Sequence, residues 1–221
     1  MKEASPKSGI PAPRPARTNP APLLILISAP SGGGKTTLCH QLLAARPDMT
    51  RAITCTTRAP RPGEKDGSDY YFFRPVEFLR RQQAGEFIEH ATVFGRRYGI
   101  LRYELLGKLR SGRDVLLNVD VQGAATIRDR ARNEPELRHA LVTVFLTPPS
   151  IKVLEERLKR RASDSPEEIR KRLGIARQEI AQWRNFDYLL ISLSVHEDLR
   201  RMLAIIEAEK MRGTRSPAPE F

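Results

Sequence analysis

The sequence predicts an α/β fold, a three-layer sandwich with a parallel central sheet, on three observations. Short runs rich in Leu, Ile and Val alternate along the 221 residues with longer segments of helical spacing. The runs are apolar at nearly every position rather than at every second one, the mark of strands buried on both faces. The first of them leads through a turn of glycines straight into a helical segment, a strand, turn and helix in succession.

In chain order, residues 1–21 come first, with Pro6, Pro11, Pro13, Pro15 and Pro20 set among basic and small residues. They have almost nothing to bury and read as a disordered, Pro-rich arm. The folded domain spans 22–212. Strands are expected at 23–28, 52–55, 114–120, 141–146 and 188–192, and helices at 35–45, 101–109, 122–132, 151–159, 166–183 and 195–211. Two helix starts carry their own chemistry. Ser165-Pro166-Glu167-Glu168 aligns a capping serine, a first-turn proline and a reciprocal glutamate, and Ser194 with Glu197 repeats the capping-box spacing. Ile169, Leu173, Ala176, Ile180 and Trp183 share one helical face, so the helix that follows Ser165 should dock on a core. The alternation breaks at about 54–100, where Tyr70-Tyr71-Phe72-Phe73 and 86–93 read as short strands around a helix near 76–83. That is an inserted subdomain, placed to hold a second substrate opposite the first. Residues 213–221 resemble the arm in composition and are expected to form a flexible tail.

The stretch 23–43 reads LLILISAPSGGGKTTLCHQLL. A turn with so little side-chain bulk lets the backbone N–H groups of residues 31–35 face inward around a phosphate, with a helix N-terminus aimed at the same anion. The template GxxxxGK[ST] is met at Gly34, Lys35 and Thr36, with Ala29 where its first glycine would be. Lys35 can then neutralise the β and γ phosphates of a nucleotide, and the Thr36 hydroxyl can ligate magnesium. After the second expected strand, Arg58 and Arg61 are held three apart by prolines and a turn glycine, a fork suited to a phosphate dianion. The run VLLNVDVQG at 115–123 ends an apolar strand in Asn118 and Asp120 at the carboxyl edge of the sheet, where α/β proteins keep their ligands. Arg157, Arg160, Arg161 and Arg172 gather around residues 162–165.

These motifs, in this order and spacing, resemble the guanylate kinase family over about 22–210. The resemblance implies a P-loop NTPase sandwich with an inserted GMP-binding subdomain and a lid at about 157–172, transferring a phosphoryl group from ATP to GMP with magnesium. It implies ATP contacts from Ala29, Pro30, Ser31, Gly32, Gly33, Gly34, Lys35, Thr36 and Thr37. It implies that Arg58, Arg61, Tyr70 and Tyr98 bind the phosphate of GMP, that Thr54 lies beside the base, and that Glu89 accepts hydrogen bonds from guanine N1 and N2. Adenine lacks that adjacent pair of donors, so an acceptor-only carboxylate sorts the two purines. Asp120 is implied either at the guanine amino group or, through water, at the magnesium that Thr36 binds. Lys35, Arg157, Arg161 and Arg172 are the implied catalytic cations, and dGMP is a further candidate acceptor. Four positions depart from the family pattern: Ile100 replaces a small hydroxyl residue, Asn118 a carboxylate, Ala162 the lid glycine, and Ser192 an asparagine at the adenine end of ATP. Two other readings stand beside the kinase. One is a protein-interaction domain of the same fold, which generally loses the phosphate loop that this chain keeps. The other is a related kinase with a different small phosphate acceptor, suggested by Ile100 and Asn118.

Composition limits the rest. Lys and Arg number 38 against 26 Asp and Glu, a formal charge of +12, yet no RNA-binding or zinc-finger signature accompanies the excess. Polyphosphate substrates need arginines too, so nucleic acid is not the expected partner. The apolar runs are far too short for a membrane span. Cys39, Cys55 and the four histidines lack metal-ligand spacing, and two cysteines make no disulfide framework, which points to a reducing, cytoplasmic setting.

Overall fold

The computed structural model describes residues 20–93, 95–160 and 165–217. In chain order the elements are β1 (Leu24–Ser28), α1 (Lys35–Ala45), β2 (Thr50–Arg51), β3 (Thr54–Thr56), β4 (Tyr71–Phe72), α2 (Pro75–Gln83), β5 (Phe87–Val93), β6 (Arg96–Leu101) and α3 (Arg102–Arg110). There follow β7 (Val115–Asn118), α4 (Val121–Asn133), α5 (Pro135–Ala140), β8 (Leu141–Thr147), α6 (Ile151–Arg160), α7 (Pro166–Ile180), β9 (Tyr188–Ile191) and α8 (Val195–Lys210). The central sheet has the order β2-β7-β1-β8-β9, and every pairing in it is parallel.

Strand β1 sits in the middle, and its alternate side chains serve two different cores. Leu24 and Leu26 join Val115 and Leu117 against Leu105, Ala124 and Ile127 of α3 and α4. Leu23, Ile25 and Ile27 join Leu116, Val142 and Val144 against Leu38 and Leu42 of α1 and Met202 and Ile206 of α8. Both faces are therefore covered, which is why these strands carry no polar alternation. Strand β1 lies between β7 and β8; the chain leaves it for β2 on the β7 side and later passes over it from β7 to β8, so the crevice that opens at the carboxyl edge of β1 is where such a sheet binds ligands.

The strand expected at 52–55 is two strands in two sheets. Thr50–Arg51 pairs with β7 in the central sheet, and Thr54–Thr56 pairs with β6 in the second. Between them the Ile53 N–H donates to Glu104 Oε1 at 3.3 Å, and Glu104 also pairs with Lys108. The second sheet, of order β4-β3-β6-β5, has its own small core of Cys55, Phe78, Phe87 and Leu101. Gly99 is required there: a Cβ on it would lie 2.8 Å from the Phe87 ring. Cys39 and Cys55 are both buried, and burial pushes each thiol up to about 12, which leaves them as small core residues.

Strand β6 and helix α5 were not apparent in the sequence, because β6 begins with Arg96-Arg97 and α5 has only six residues. Helix α7 stops at Ile180, short of the expected Trp183, which starts a 3-10 turn and is 37% exposed. Its capping box is complete: the Glu168 N–H donates to Ser165 Oγ and the Ser165 N–H to Glu168 Oε2. That of α8 is half formed, since Ser194 caps the Glu197 N–H while the Glu197 carboxylate accepts from Arg200 and Arg201.

Residues 1–19 and 218–221 lie outside the described residues. The described part of the expected tail is held down at Arg215, which is 7% exposed and donates to the carbonyls of His139 and Leu141, while the Ala21 N–H donates to Arg215 O. At the same edge Asp114, 2% exposed, accepts from the Leu23 N–H at 2.9 Å and pairs with Lys210 at 2.8 Å. Asp114→Ala would leave a buried amide without an acceptor and an ammonium without its partner. An expected loss of about 3 kcal/mol follows, readable as a lower urea midpoint at unchanged slope.

Candidate active site

The phosphate loop follows β1 and enters α1 with no side-chain cap, so the helix's first amides are open to an anion. Gly34 holds the N-cap position at φ 100°, a conformation glycine tolerates without strain. Gly32, at φ 87°, lies so close to α6 that a Cβ would stand 2.9 Å from Leu158 Cδ2. Ala29 is not one of the positive-φ positions; it is 3% exposed and packs with Leu38 and Leu42. Of the five amides expected to face inward, that of Gly33 is engaged inside the loop, donating to Pro30 O at 2.8 Å. The Ser31 N–H points to Glu179 Oε2 at 3.4 Å. Lys35 donates from Nζ to Val119 O at 2.9 Å, at the carboxyl end of β7. Burial lowers its pKa, against the opposing pull of Asp120, Cys39 and Glu179. Thr36 and Thr37 are exposed at the start of the helix.

Across the crevice the second sheet presents the other half. Register places Thr54, Ile100 and Glu89 abreast on β3, β6 and β5, with Thr56, Tyr98 and Ala91 in the next row. Strand β5 reaches this register through a bulge: Phe87 opposes Leu101, but Glu89 opposes Ile100, which makes Ile88 the extra residue. The bulge turns Glu89 to the face opposite Phe87, as such insertions re-aim side chains. Glu89 is 8% exposed, with its carboxylate against Gly123 in the first turn of α4. Burial and the neighbouring Asp120 push its carboxyl up to about 7. Asp120 caps α4, accepting from the Gly123 N–H at 2.8 Å. Ile100, where a hydroxyl residue was expected, is 2% exposed and packed in the core with Leu105 and Leu117.

Arg58 lies over the rings of Tyr70 and Phe72, at 5.3 and 5.9 Å. Its NH2 donates to both oxygens of Glu64, at 2.8 and 2.9 Å, and the same carboxylate accepts from the Arg61 N–H at 2.7 Å. Glu64 and the Tyr98 hydroxyl keep the Arg58 guanidinium firmly charged, and Arg58 with the Arg61 N–H holds Glu64 below the usual carboxylate range. The Arg61 side chain is exposed. A cavity of about 150 Å³ joins the two halves, lined by Thr36 and Asn118 from the central-sheet half and by Thr54, Tyr70 and Ile100 from the other.

Two of the expected lid arginines touch the phosphate loop. Arg157 NH1 reaches Gly33 O at 3.4 Å, and Arg172 NH1 reaches Ser31 Oγ at the same distance. Arg157 and Arg160 also line a second cavity of about 350 Å³ between the loop and the start of α8, with Thr37, Ser192 and Asp198. Arg161 and Ala162 lie outside the described residues.

Glu64, Glu179 and Asp198 were missed in the sequence. Glu64 carried a signal, two residues past Pro62 in the arginine segment, as the natural counter-ion of the fork. Glu179 and Asp198 carried none, because helical spacing alone does not say which carboxylate comes back to the loop after β1 or to the end of β9.

Compared with known proteins, residues 21–209 match the family model described as guanylate kinase. The chain is 40% identical over 200 residues to the guanylate kinase of Paramagnetospirillum magneticum, covering 90% of this chain and 91% of that one. It is 41% identical over 196 residues to that of Ruegeria pomeroyi, covering 89% and 90%. The crystal structure of guanylate kinase from Anaplasma phagocytophilum is similar with a TM-score of 0.68 at 34% identity, covering 90% of this chain and 91% of that chain.

Proposed function

The chain belongs to the guanylate kinase family and phosphorylates GMP to GDP with ATP, and on that premise we propose the part each pocket plays. The ATP triphosphate sits in the loop at 29–37, with its terminal phosphates at Lys35. GMP sits across the crevice, its phosphate among Arg58, Arg61, Tyr70 and Tyr98 and its base between Thr54 and Glu89. The observation that carries this reading is Glu89: a bulge turns an 8% exposed carboxylate toward the crevice, beside Asp120. A buried acceptor-only group is costly unless a ligand supplies donors, and guanine supplies two.

The attacking phosphate oxygen of GMP is already anionic, so no side chain has to remove a proton. The work is to bring two polyanions together in line and to neutralise the equatorial charge. Lys35, Arg157 and Arg172 supply positive charge on the loop side, joined by Arg161 from the sequence pattern. Glu64 keeps Arg58 oriented, so its remaining N–H groups are set for the acceptor phosphate before it arrives.

The donor set fits magnesium carried by the nucleotide. Thr36 is exposed at the start of α1 and Asp120 follows β7 close to Lys35, a sparse oxygen set of the kind taken by a cation that keeps most of its waters. Thr36 would hold it directly and Asp120 through water, and the ion would neutralise charge on the β and γ oxygens. Among the described residues no helix is long and apolar enough to cross a membrane. Two free, buried thiols support a reducing, cytoplasmic setting.

A coupled assay of ADP release with GMP, dGMP, AMP and UMP tests the reading. GMP and dGMP should be turned over and AMP and UMP rejected by about 10³-fold or more in kcat/KM; turnover of AMP comparable to GMP would overturn it. A second check is steric. A Cβ at Gly123 would stand 3.2 Å from Val119 Cβ and 3.3 Å from Glu89 Oε1, so Gly123→Ala should press on Val119 and shift the carboxylate by a few tenths of an ångström. The KM for GMP should then rise by about 3- to 10-fold.

A further inference from the structure

We infer that Ser192 and Asp198 are a positioning pair for Arg157, an assignment that rests on the proposed role of Arg157 in transfer. Ser192 follows β9 and is 3% exposed; Asp198 lies in the first turn of α8 and is 6% exposed. The Ser192 hydroxyl donates to Asp198 Oδ2 at 2.7 Å, and the Leu193 N–H donates to Oδ1 at 3.0 Å. Both NH1 and NH2 of Arg157 reach Ser192 Oγ at 3.2 Å.

The direction of each bond follows from the groups themselves. Arginine only donates, an ionised carboxylate only accepts, and a hydroxyl has one proton. That proton goes to Asp198, so the oxygen's lone pairs remain for the guanidinium. Arg157 is thus fixed by a carboxylate that it does not touch. The contrast is Arg58, whose counter-ion Glu64 is in direct contact at 2.8 Å. An intervening hydroxyl orients the arginine while leaving most of its N–H groups and its charge for an incoming phosphate. The third contact, to Gly33 O, sets the guanidinium against the phosphate loop.

Holding α8 together does not account for Asp198. Ser194 already caps that helix through the Glu197 N–H. Nor does packing account for Ser192, since both residues line the cavity beside the loop.

The test is a mutant cycle on the full chain, with thermal melts as a control on folding. Ser192→Ala is expected to lower kcat by about 10-fold with the KM for GMP unchanged, and Ser192→Thr, which keeps the hydroxyl, to restore most of it. In an Arg157→Ala background the same Ser192→Ala change should cost less than about 2-fold, because a residue that acts through Arg157 has nothing left to position. Asp198→Asn breaks the relay from its other end and should mimic Ser192→Ala. Equal loss from Ser192→Ala in both backgrounds, or full activity of Ser192→Ala beside an impaired Arg157→Ala, overturns the pair and leaves the role of Arg157 standing. A fully active Arg157→Ala enzyme overturns that role, and the pair with it.

Discussion

Lys35→Ala is expected to lower kcat by about 10³-fold or more while the protein stays folded and melts no lower than the parent. The rate effect follows from position. The ammonium is held at the carboxyl edge of β7 by a 2.9 Å bond to Val119 O, between the phosphate loop and Asp120. It is the cation that follows β1 directly, and among the described residues Arg157 and Arg172 meet the loop elsewhere, at Gly33 O and Ser31 Oγ. The stability effect follows from burial, which lowers the pKa of Lys35 in the folded protein. A lysine whose folded pKa is depressed is penalised for carrying its charge at every pH below that value. Removing the ammonium therefore relieves the fold at neutral pH instead of weakening it. Single-turnover transfer and a thermal melt on the same preparation check both halves; an active variant removes Lys35 from the mechanism.

The central sheet was legible because its strands are buried on both faces and so stand out as apolar runs, and α1 begins where the loop's last glycine ends. Helix α7 begins at 166, as its capping box announces, because Ser165 and Glu168 satisfy amides that any helix must satisfy. What was not legible depends on partners distant in sequence. The run at 52–55 gives no sign that it leaves one sheet and enters another, since the choice is made by β7 and β6. The bulge at Ile88 is a matter of register, and a residue's sheet face reverses with a shift of one. Glu89 was singled out by resemblance alone, since alternation from Phe87 would have placed it on the face of the small aromatic core. Glu179 belongs to the same class: its carboxylate meets the Ser31 N–H only because α7 returns across the loop. Ile100 shows the converse, a departure legible in the sequence whose consequence was not, since the side chain is taken up by the main core.

Glu89→Gln should raise the KM for GMP by about 10²-fold or more, abolish much of the preference over AMP, and stabilise the protein at pH 8. The carboxamide can offer one acceptor but sets its NH₂ against guanine N1–H or the N2 amino group, leaving buried donors facing each other. The pH dependence separates this from a packing defect. In the parent, burial beside Asp120 raises the carboxyl to about 7 from an ordinary 4.5. Only the ionised form accepts from both guanine donors, so GMP affinity should fall as pH drops through about 7. The phosphate of GMP also titrates in this range, with a second pKa of about 6, but it does so equally with the glutamine variant. The part of the profile that disappears in that variant therefore belongs to Glu89. For stability the sign is opposite. A carboxyl whose folded pKa lies above its unfolded one favours the fold most below about 4.5, and that advantage is lost as pH rises toward 7. Above 7 the ionised, unliganded carboxylate costs on the order of 3 kcal/mol. The glutamine variant carries no such charge, so it should melt higher than the parent at pH 8 and at nearly the same temperature at pH 5. Adding GMP should reverse that order at pH 8, because guanine supplies the donors that the empty crevice lacks. If the parent and variant melt alike at pH 8, or bind GMP alike at any pH from 6 to 8, then Glu89 does not read the base.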